Sequence, residues 1–298
     1  MEMVDWNHLQ DFLAVARTGR LTSGARALGV DHTTLSRRIA ALEAALKARL
    51  FDRSPQGYAL TVHGERLLAR AESMESLMLA AQAEVGEADM RVSGVVRIGA
   101  PEGFGSYFLS PRLPELAERH PELEIQLVAI PGVLSLSKRE ADVAVTLSAP
   151  REGRLISRKL TDYSLSLYGA PSYLDARPAL RSRANMKDHR FIGYIEELLY
   201  APELDYMQAP DVDIRVAFKS SNLIAQLQAC VAGAGLAVLP DFVAHGRPYL
   251  RRVLEGQVGL RREFHLVVHA DLKAVARVRA VTEFITEAVR KDRRRFAA

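Results

Sequence analysis

A chain of 298 residues with 48% hydrophobic and 26% charged residues has material for two domains with cores of their own, which excludes a disordered polymer. Its net charge of only +4 excludes wholesale coating of a polyanion, so any nucleic-acid contact must be local and geometric. No apolar run approaches the roughly 18 residues of a membrane span, and Glu2, Asp5 and Asp11 stand where a signal peptide would be apolar, so a cytoplasmic protein is expected.

Residues 21–53 read as two short amphipathic helices around a tight turn, followed by a basic exit. Leu21, Ala25 and Leu28 give the first helix an apolar face, Gly29 supplies the turn, Val30 returns to the core and Asp31 offers an N-cap carboxylate. In the second helix Leu35, Ile39, Leu42 and Leu46 fall on one stripe facing the first. His32, Thr33, Thr34, Ser36 and Arg37 then occupy its first turns and outer face, while Ala40, Ala41 and Ala44 keep it slim enough for a major groove about 12 Å wide. Thr and Ser suit base edges, Arg suits guanine or phosphate, and the helix N-terminus favours anions. Any one of these residues alone reads as solvated surface; their concentration at helix-turn-helix spacing reads as a DNA contact. Thr22 and Ser23, at the start of the first helix, join the candidate DNA-binding set.

Ala25, Ala27, Leu28, Leu35, Ser36, Arg37, Ile39, Leu42 and Glu43, then Leu50, Phe51, Arg53, Leu60, Thr61 and Gly64, resemble in order and spacing the N-terminal winged helix-turn-helix of LysR-type transcriptional regulators. The resemblance implies that His32, Thr33, Ser36 and Arg37 approach base edges or phosphates, that Arg53 meets the backbone, and that SPQGYAL forms the wing. His32 and Thr33 stand where many members have Gln and Pro.

From Val62 to Met90, Leu67, Ala71, Met74, Met78, Ala81 and Val85 repeat at alternating spacings of four and three, a heptad seam. With six acidic residues against two basic, this helix does not extend the DNA surface. Its seam points to pairing between chains, which gives DNA binding two half-sites; the other reading is a surface helix packed on its own domain. The resemblance implies pairing through this linker helix and often tetramers.

After Arg91 apolar strands alternate with helical patterns: GVVRIGAP, a helix over about Gly105–Arg119, LEIQLVAI, a short helix near Leu134–Arg139, and ADVAVTL. SLSLYGAP, RFIGYI, VDIRVAFKSS, a helix over about Asn222–Ala232, LAVLP, EFHLVVHA and a helix over Lys273–Arg290 follow. Two α/β subdomains are expected, crossed near 161–164 and 265–269. Glu140, Ala141, Asp142 and Ala144, then Leu167, Tyr168, Pro171 and Tyr173, then Ala232, Gly233, Gly235, Leu236, Leu239 and Pro240 resemble the effector-binding domain of the same family, whose fold is similar to periplasmic solute-binding proteins.

The expected organisation is therefore an α/β multidomain chain: a winged helix-turn-helix over 1–61, a linker and dimerisation helix over 62–90, and an effector domain over 91–298. Its subdomain I comprises 91–162 and 268–298, and subdomain II 163–267.

An effector would sit beyond the carboxyl ends of strands. The candidates are Pro101, Glu102, Gly103 and Phe104 after the first strand, Ile130, Pro131 and Gly132 after the second, Thr146 ending another, and Ser220 and Ser221 before a helix. The serines suit a carboxylate, whereas an inward Glu102 suits a cation or hydrogen-bond donor. An amphoteric metabolite satisfies both; alternatively Ser221 merely caps its helix and Glu102 is solvated.

The lone Cys230 lies in an apolar helical stretch, where a buried thiol is expected. The histidines show no metal-ligand spacing, and no cofactor motif is present. A DNA-binding repressor with an enzymatic α/β domain, as in biotin ligases, is the alternative; no catalytic motif supports it, and Glu196 and Glu197 are adjacent and diverge. Expected partners are double-stranded promoter DNA, a small-molecule effector and further copies of the chain, with RNA polymerase a candidate. The basic run at 290–295 reads as a solvated tail.

Overall fold

The computed structural model describes residues 5–54, 57–85, 92–132, 136, 140–150, 154–206 and 214–296. The chain divides into two units, Met1–Met90 and Arg91–Ala298.

The first unit opens with a helix not expected from the sequence, α1 (Trp6–Thr18), which buries Leu9, Phe12, Leu13 and Val15. Asp5 caps it by accepting from Asn7 N at 3.0 Å. Next come α2 (Leu21–Leu28), ended by Gly29 in the left-handed conformation at φ +66°, and α3 (His32–Leu46), capped by Asp31. Leu35, Ile39 and Leu42 are fully buried as expected, and Val30 packs on the same core. Leu28 and Leu46 depart from the expected stripes: each is 37% exposed, in the last turn of its helix.

The expected wing is an antiparallel hairpin of β1 (Phe51–Ser54) and β2 (Gly57–Leu60); Pro55 and Gln56 lie outside the described residues. Phe51 anchors it, with its ring 5.2 Å from Phe12 and 5.6 Å from Tyr58. Gly57, at φ +140°, lets Tyr58 N donate to Gly19 O at 2.8 Å; a Cβ there would stand 2.4 Å from that oxygen. Thr61 ties the hairpin to α4 (Val62–Val85), its hydroxyl donating to Arg49 O at 2.7 Å and accepting from Gly64 N at 3.1 Å.

The heptad seam on α4 divides. Leu67 packs against the core of its own unit and Ala71 lies fully within it, which corrects their assignment to a chain–chain interface. Met74 and Met78 are 47% and 44% exposed, and Ala81 is exposed too. The Val85 side chain and residues 86–90 lie outside the described residues.

The second unit contains, in order, β3 (Gly94–Ala100), α5 (Glu102–Phe104), α6 (Leu113–Arg119), β4 (Leu123–Ala129), β5 (Val143–Thr146) and β6 (Leu155–Gly169). It continues with α7 (Pro171–Asp175), β7 (Arg190–Tyr194), β8 (Arg215–Ser220), α8 (Leu223–Val231), β9 (Leu236–Pro240), α9 (Asp241–Ala244) and β10 (Arg251–Val253). β11 (Gly259–His269), α10 (Ala276–Lys291) and α11 (Arg293–Phe296) end it. The helix expected over Gly105–Arg119 is broken into a π-helical turn, a 3-10 turn and α6, because Pro111 and Pro114 each withhold an N–H from the ladder. The helix expected near 134–139 lies outside the described residues except Leu136.

The strands form one nine-stranded sheet in the order β4-β3-β5-β11-β6-β9-β7-β8, with β10 on β6. Each half keeps parallel pairs, β4 with β3 and β3 with β5 in one, β7 with β8 and with β9 in the other. Long β6 and β11 run antiparallel through both halves, and their register shifts between Phe264 and His265, opposite Thr161 and Lys159. β6 begins at Leu155, well before the expected SLSLYGAP, in a half whose apolar texture Arg158, Lys159 and Asp162 interrupt.

The rings of Phe104, Phe108, Tyr163, Phe242, Phe264 and Phe296 cluster in the core, with Tyr163 and Phe264 stacked at 4.2 Å. Phe296 is fully buried, Arg295 Nε donates to Phe242 O at 3.2 Å, and Arg112 pairs with Asp292. The basic end is therefore a helical turn anchored by Phe296, while Arg290, Lys291, Arg293 and Arg294 stay exposed as the reading of a solvated charge run expected.

Candidate functional site

Two surfaces carry chemistry, one in each unit. In the first, His32, Thr33 and Arg37 stand exposed on α3, with Thr34 and Ser36 half-buried beside them. Thr22 is exposed and Ser23 half-buried in the first turn of α2. Asp31 accepts from Thr33 N at 2.8 Å and from the Thr33 hydroxyl at 2.5 Å, which holds its carboxyl below the usual range. Asp31 thus caps the amino end of α3 from within the chain, and Thr33 keeps acceptor lone pairs for a base edge.

Arg53 on the wing is held from two sides. Its guanidinium donates to Glu43 Oε2 at 3.0 Å and lies 5.5 Å from the centre of the Tyr58 ring. Glu43 Oε1 also accepts from Leu50 N at 2.8 Å and Phe51 N at 3.2 Å, so one α3 carboxylate sets the hairpin's entry. The side chain of Arg53 remains 47% exposed, enough to reach a phosphate.

In the second unit a cavity of about 280 Å³ opens beyond β3 and β5. Of the expected effector residues, Pro101, Gly132 and Thr146 line it. Leu147, Ser148, Tyr200 and Ala201, which strand ends alone do not mark, line it too, as does Ala144. Tyr200 comes from the irregular stretch between β7 and β8, where periodicity gives no signal. The Thr146 hydroxyl donates to Ser148 O at 2.7 Å.

Glu102 is 5% exposed and not solvated; its carboxylate accepts from Leu223 N and the Asn222 side-chain amide. Burial raises its carboxyl against these donors. Gly103 permits this approach, since a Cβ there would lie 2.5 Å from Leu223 Cδ2. Phe104 belongs to the aromatic core. Ile130 and Pro131 are exposed, away from the described cavity wall. Ser220 and Ser221 do not line the cavity: the Ser220 hydroxyl accepts from Asn222 N at 3.1 Å, and Asn222, not Ser221, caps α8 by accepting from Ala225 N at 2.8 Å.

Cys230 is fully buried, its thiol pushed up to about 12 by burial and set 3.5 Å from Tyr168 O. Among the described residues no group of three or more His, Cys, Asp or Glu side chains could hold a metal ion, and no helix is long and apolar enough to cross a membrane.

Comparison with known proteins matches residues 6–65 to the family described as "Bacterial regulatory helix-turn-helix protein, lysR family" and residues 90–290 to "LysR substrate binding domain". The HTH-type transcriptional regulator PtxR of Pseudomonas aeruginosa is 28% identical over 98% of this chain and 95% of its own length. A full-length OxyR variant from Pseudomonas aeruginosa, 18% identical, shares the fold at a TM-score of 0.76 over 97% of this chain and 96% of that one. Full-length LysG from Corynebacterium glutamicum, solved with bound effector Arg and also 18% identical, does so at 0.63 over 96% and 98%. With a DNA-binding helix-turn-helix, an effector-binding α/β unit and these matches across both, the chain belongs to the LysR family of transcriptional regulators.

Proposed function

We infer that this regulator reads promoter DNA through the first two turns of α3, that the exposed seam of α4 pairs two chains, and that a small molecule in the cavity beyond β3 and β5 modulates binding. Thr33, Ser36 and Arg37 face base edges, Arg53 takes a phosphate from the wing, and Thr22, Ser23, His32 and Thr34 border the contact. Met74, Met78 and Ala81 form the pairing surface, which sets two recognition helices about one helical turn of DNA, or a multiple, apart. The observation that carries the DNA reading is Arg37, exposed on the outer face of a helix whose opposite face, Leu35, Ile39 and Leu42, is fully buried.

The effector acts only through differential affinity for two arrangements of the halves of the second unit, each of which sets a different spacing or bend of the bound DNA. The activity is regulatory rather than enzymatic, exercised in the cytoplasm where promoter and polymerase are. Footprinting tests the docking: Arg37→Ala should lose operator protection while far-UV circular dichroism stays unchanged, and full protection by that variant would refute it. Arg53→Ala should weaken binding to all sequences and reduce the slope of log affinity against log salt by about one.

A further inference from the structure

The stretch that follows β7 starts in one half of the sheet and reaches the cavity of the other. It folds as two 3-10 turns, Glu196–Leu198 and Pro202–Leu204, whose amides bond to carbonyls of the same stretch. Leu198 N donates to Ile195 O at 3.0 Å and Leu199 N to Glu196 O at 3.2 Å, while Leu204 N and Asp205 N donate to Ala201 O and Pro202 O at 3.1 Å. Three contacts fasten this strap, all to the half that contains β7, β8 and β9. Lys219 of β8 donates to Glu196 Oε1 at 3.0 Å, and the ring of Tyr206 stands 5.7 Å from that of Tyr194 on β7. Arg262 of β11, which pairs with Tyr163 ahead of the register shift, donates to Glu203 O at 3.2 Å.

The tip of the strap faces the other half. Tyr200 and Ala201, between the two turns, stand in the wall of the cavity of about 280 Å³, and the other described residues of that wall belong to the half of β3, β4 and β5. Val267 is one of these, since it pairs with Ala144 of β5 beyond the register shift. An occupant of the cavity therefore meets both halves at once. Tyr200 also borders a space of about 20 Å³ shared with Glu102, Tyr163 and Tyr194, and another of about 20 Å³ lies under Leu199 against Val216 of β8. Each has room for about one water, so the strap is less tightly packed than the sheet beneath it and has slack in which to settle. A ligand biases one arrangement of the halves only through contacts that differ between arrangements. Tyr200 supplies such a contact, because its position follows β7 and β8 while the wall opposite follows β3 and β5.

We propose that the strap over 196–206 carries occupancy of the cavity from one half of the sheet to the other, with the Tyr200 ring as the contact that transmits it. The proposal rests on the reading of the cavity as the effector site. A tethered occupant tests it in the full-length chain. Ser148→Cys places a thiol at the exposed edge of the cavity wall, and benzyl methanethiosulfonate sets one ring on it through a disulfide, with methanesulfinate leaving. The cavity is larger than the roughly 150 Å³ that admits benzene. Cys230, the chain's own thiol, is fully buried, and intact mass checks for a single addition. Hydrogen exchange at the amides of Leu198, Leu199, Leu204 and Asp205 should slow by about tenfold on labelling. Tyr200→Ala in the same background should abolish that response, and Tyr200→Phe, which keeps the ring, should retain it. Unchanged strap exchange on labelling, or equal slowing in Tyr200→Ala, would overturn the proposal. Operator footprints of labelled and unlabelled chains separate it from the reading beneath. Altered protection without a strap response leaves the effector site standing and removes the strap; a Tyr200-dependent strap response with unaltered protection keeps the strap and removes the effector site.

Discussion

Glu43 joins the recognition helix to the wing through one carboxylate, so the effect of removing it can be worked from its bonds. Oε1 accepts from Leu50 N and Phe51 N at 2.8 and 3.2 Å, and Oε2 from Arg53 at 3.0 Å. A hydrogen bond to a charged acceptor contributes about 1.5–3 kcal/mol, and an ion pair as exposed as Arg53–Glu43 about 0.2–1 kcal/mol. Water reaches the partly buried amides in part, so the lower figures apply, and Glu43→Ala should destabilise the first unit by about 3 kcal/mol. Glu43→Gln keeps an acceptor for both amides and loses mainly charge, which costs about 1 kcal/mol. Trp6, the chain's single tryptophan, packs against the core of this unit, so its fluorescence in urea reports on it. With a slope of about 1 kcal/mol per molar, the midpoint should fall by about 3 M for Ala and about 1 M for Gln. Coincident midpoints for the two variants would refute the bridging role, since water would then serve the amides as well as the carboxylate does.

Three further outcomes follow from particular contacts. Met74→Glu combined with Met78→Glu places two charges on the exposed part of the α4 seam, and sedimentation should show a shift toward monomer; an unmoved oligomer would remove this face from the pairing surface. His189 is buried and held below its usual value of 6.5 by desolvation, so its stability contribution is complete above that pH and is lost as pH falls through 6.5, where the unfolded chain takes up the proton first. His189→Phe should therefore flatten the decline in melting temperature as pH falls below 6.5, and an unchanged slope would assign that decline to other groups. Gly103→Ala sets a methyl 2.5 Å from Leu223 Cδ2 and should cost about 1–3 kcal/mol, with Leu223→Ala restoring part of it; no rescue would mean the strain lies elsewhere.

What was legible in the sequence followed from periodicity and caps. Leu35, Ile39 and Leu42 announced the buried face of α3, Gly29 its turn, and Asp31 its cap, because each is a local rule that tertiary contacts then reinforce. The sequence reading did not mark helix α1, although Leu9, Phe12, Leu13 and Ala16 lie on one face. The division of the α4 seam was not legible: a heptad says that a face is covered, not whether the cover comes from the same chain. The long β6 was hidden by the charged residues of its exposed half. The cavity was only half legible, since strand ends announced Pro101, Gly132 and Thr146 but nothing local brings Tyr200 to them. Glu102 was legible as an inward carboxylate suited to hydrogen-bond donors, but not its partners Asn222 and Leu223, because they lie far along the chain at the start of α8.

Helix ends tie the two surfaces into one electrostatic scheme. Asp5, Asp31 and Glu102 each set a carboxylate oxygen on the amino end of a helix, on α1, α3 and α8 in turn. A helix end that is already neutralised has little attraction left for a phosphate or a ligand carboxylate. Anion recognition then falls to side chains alone: Arg37 stands exposed on α3, and Arg53 is held by Glu43 and Tyr58 at the wing. Guanidiniums on long side chains adjust to the backbone of whichever duplex is bound, so these contacts give affinity and register while the polar groups of the first turns of α3 discriminate bases. The DNA surface therefore depends on its arginines rather than on a free helix end.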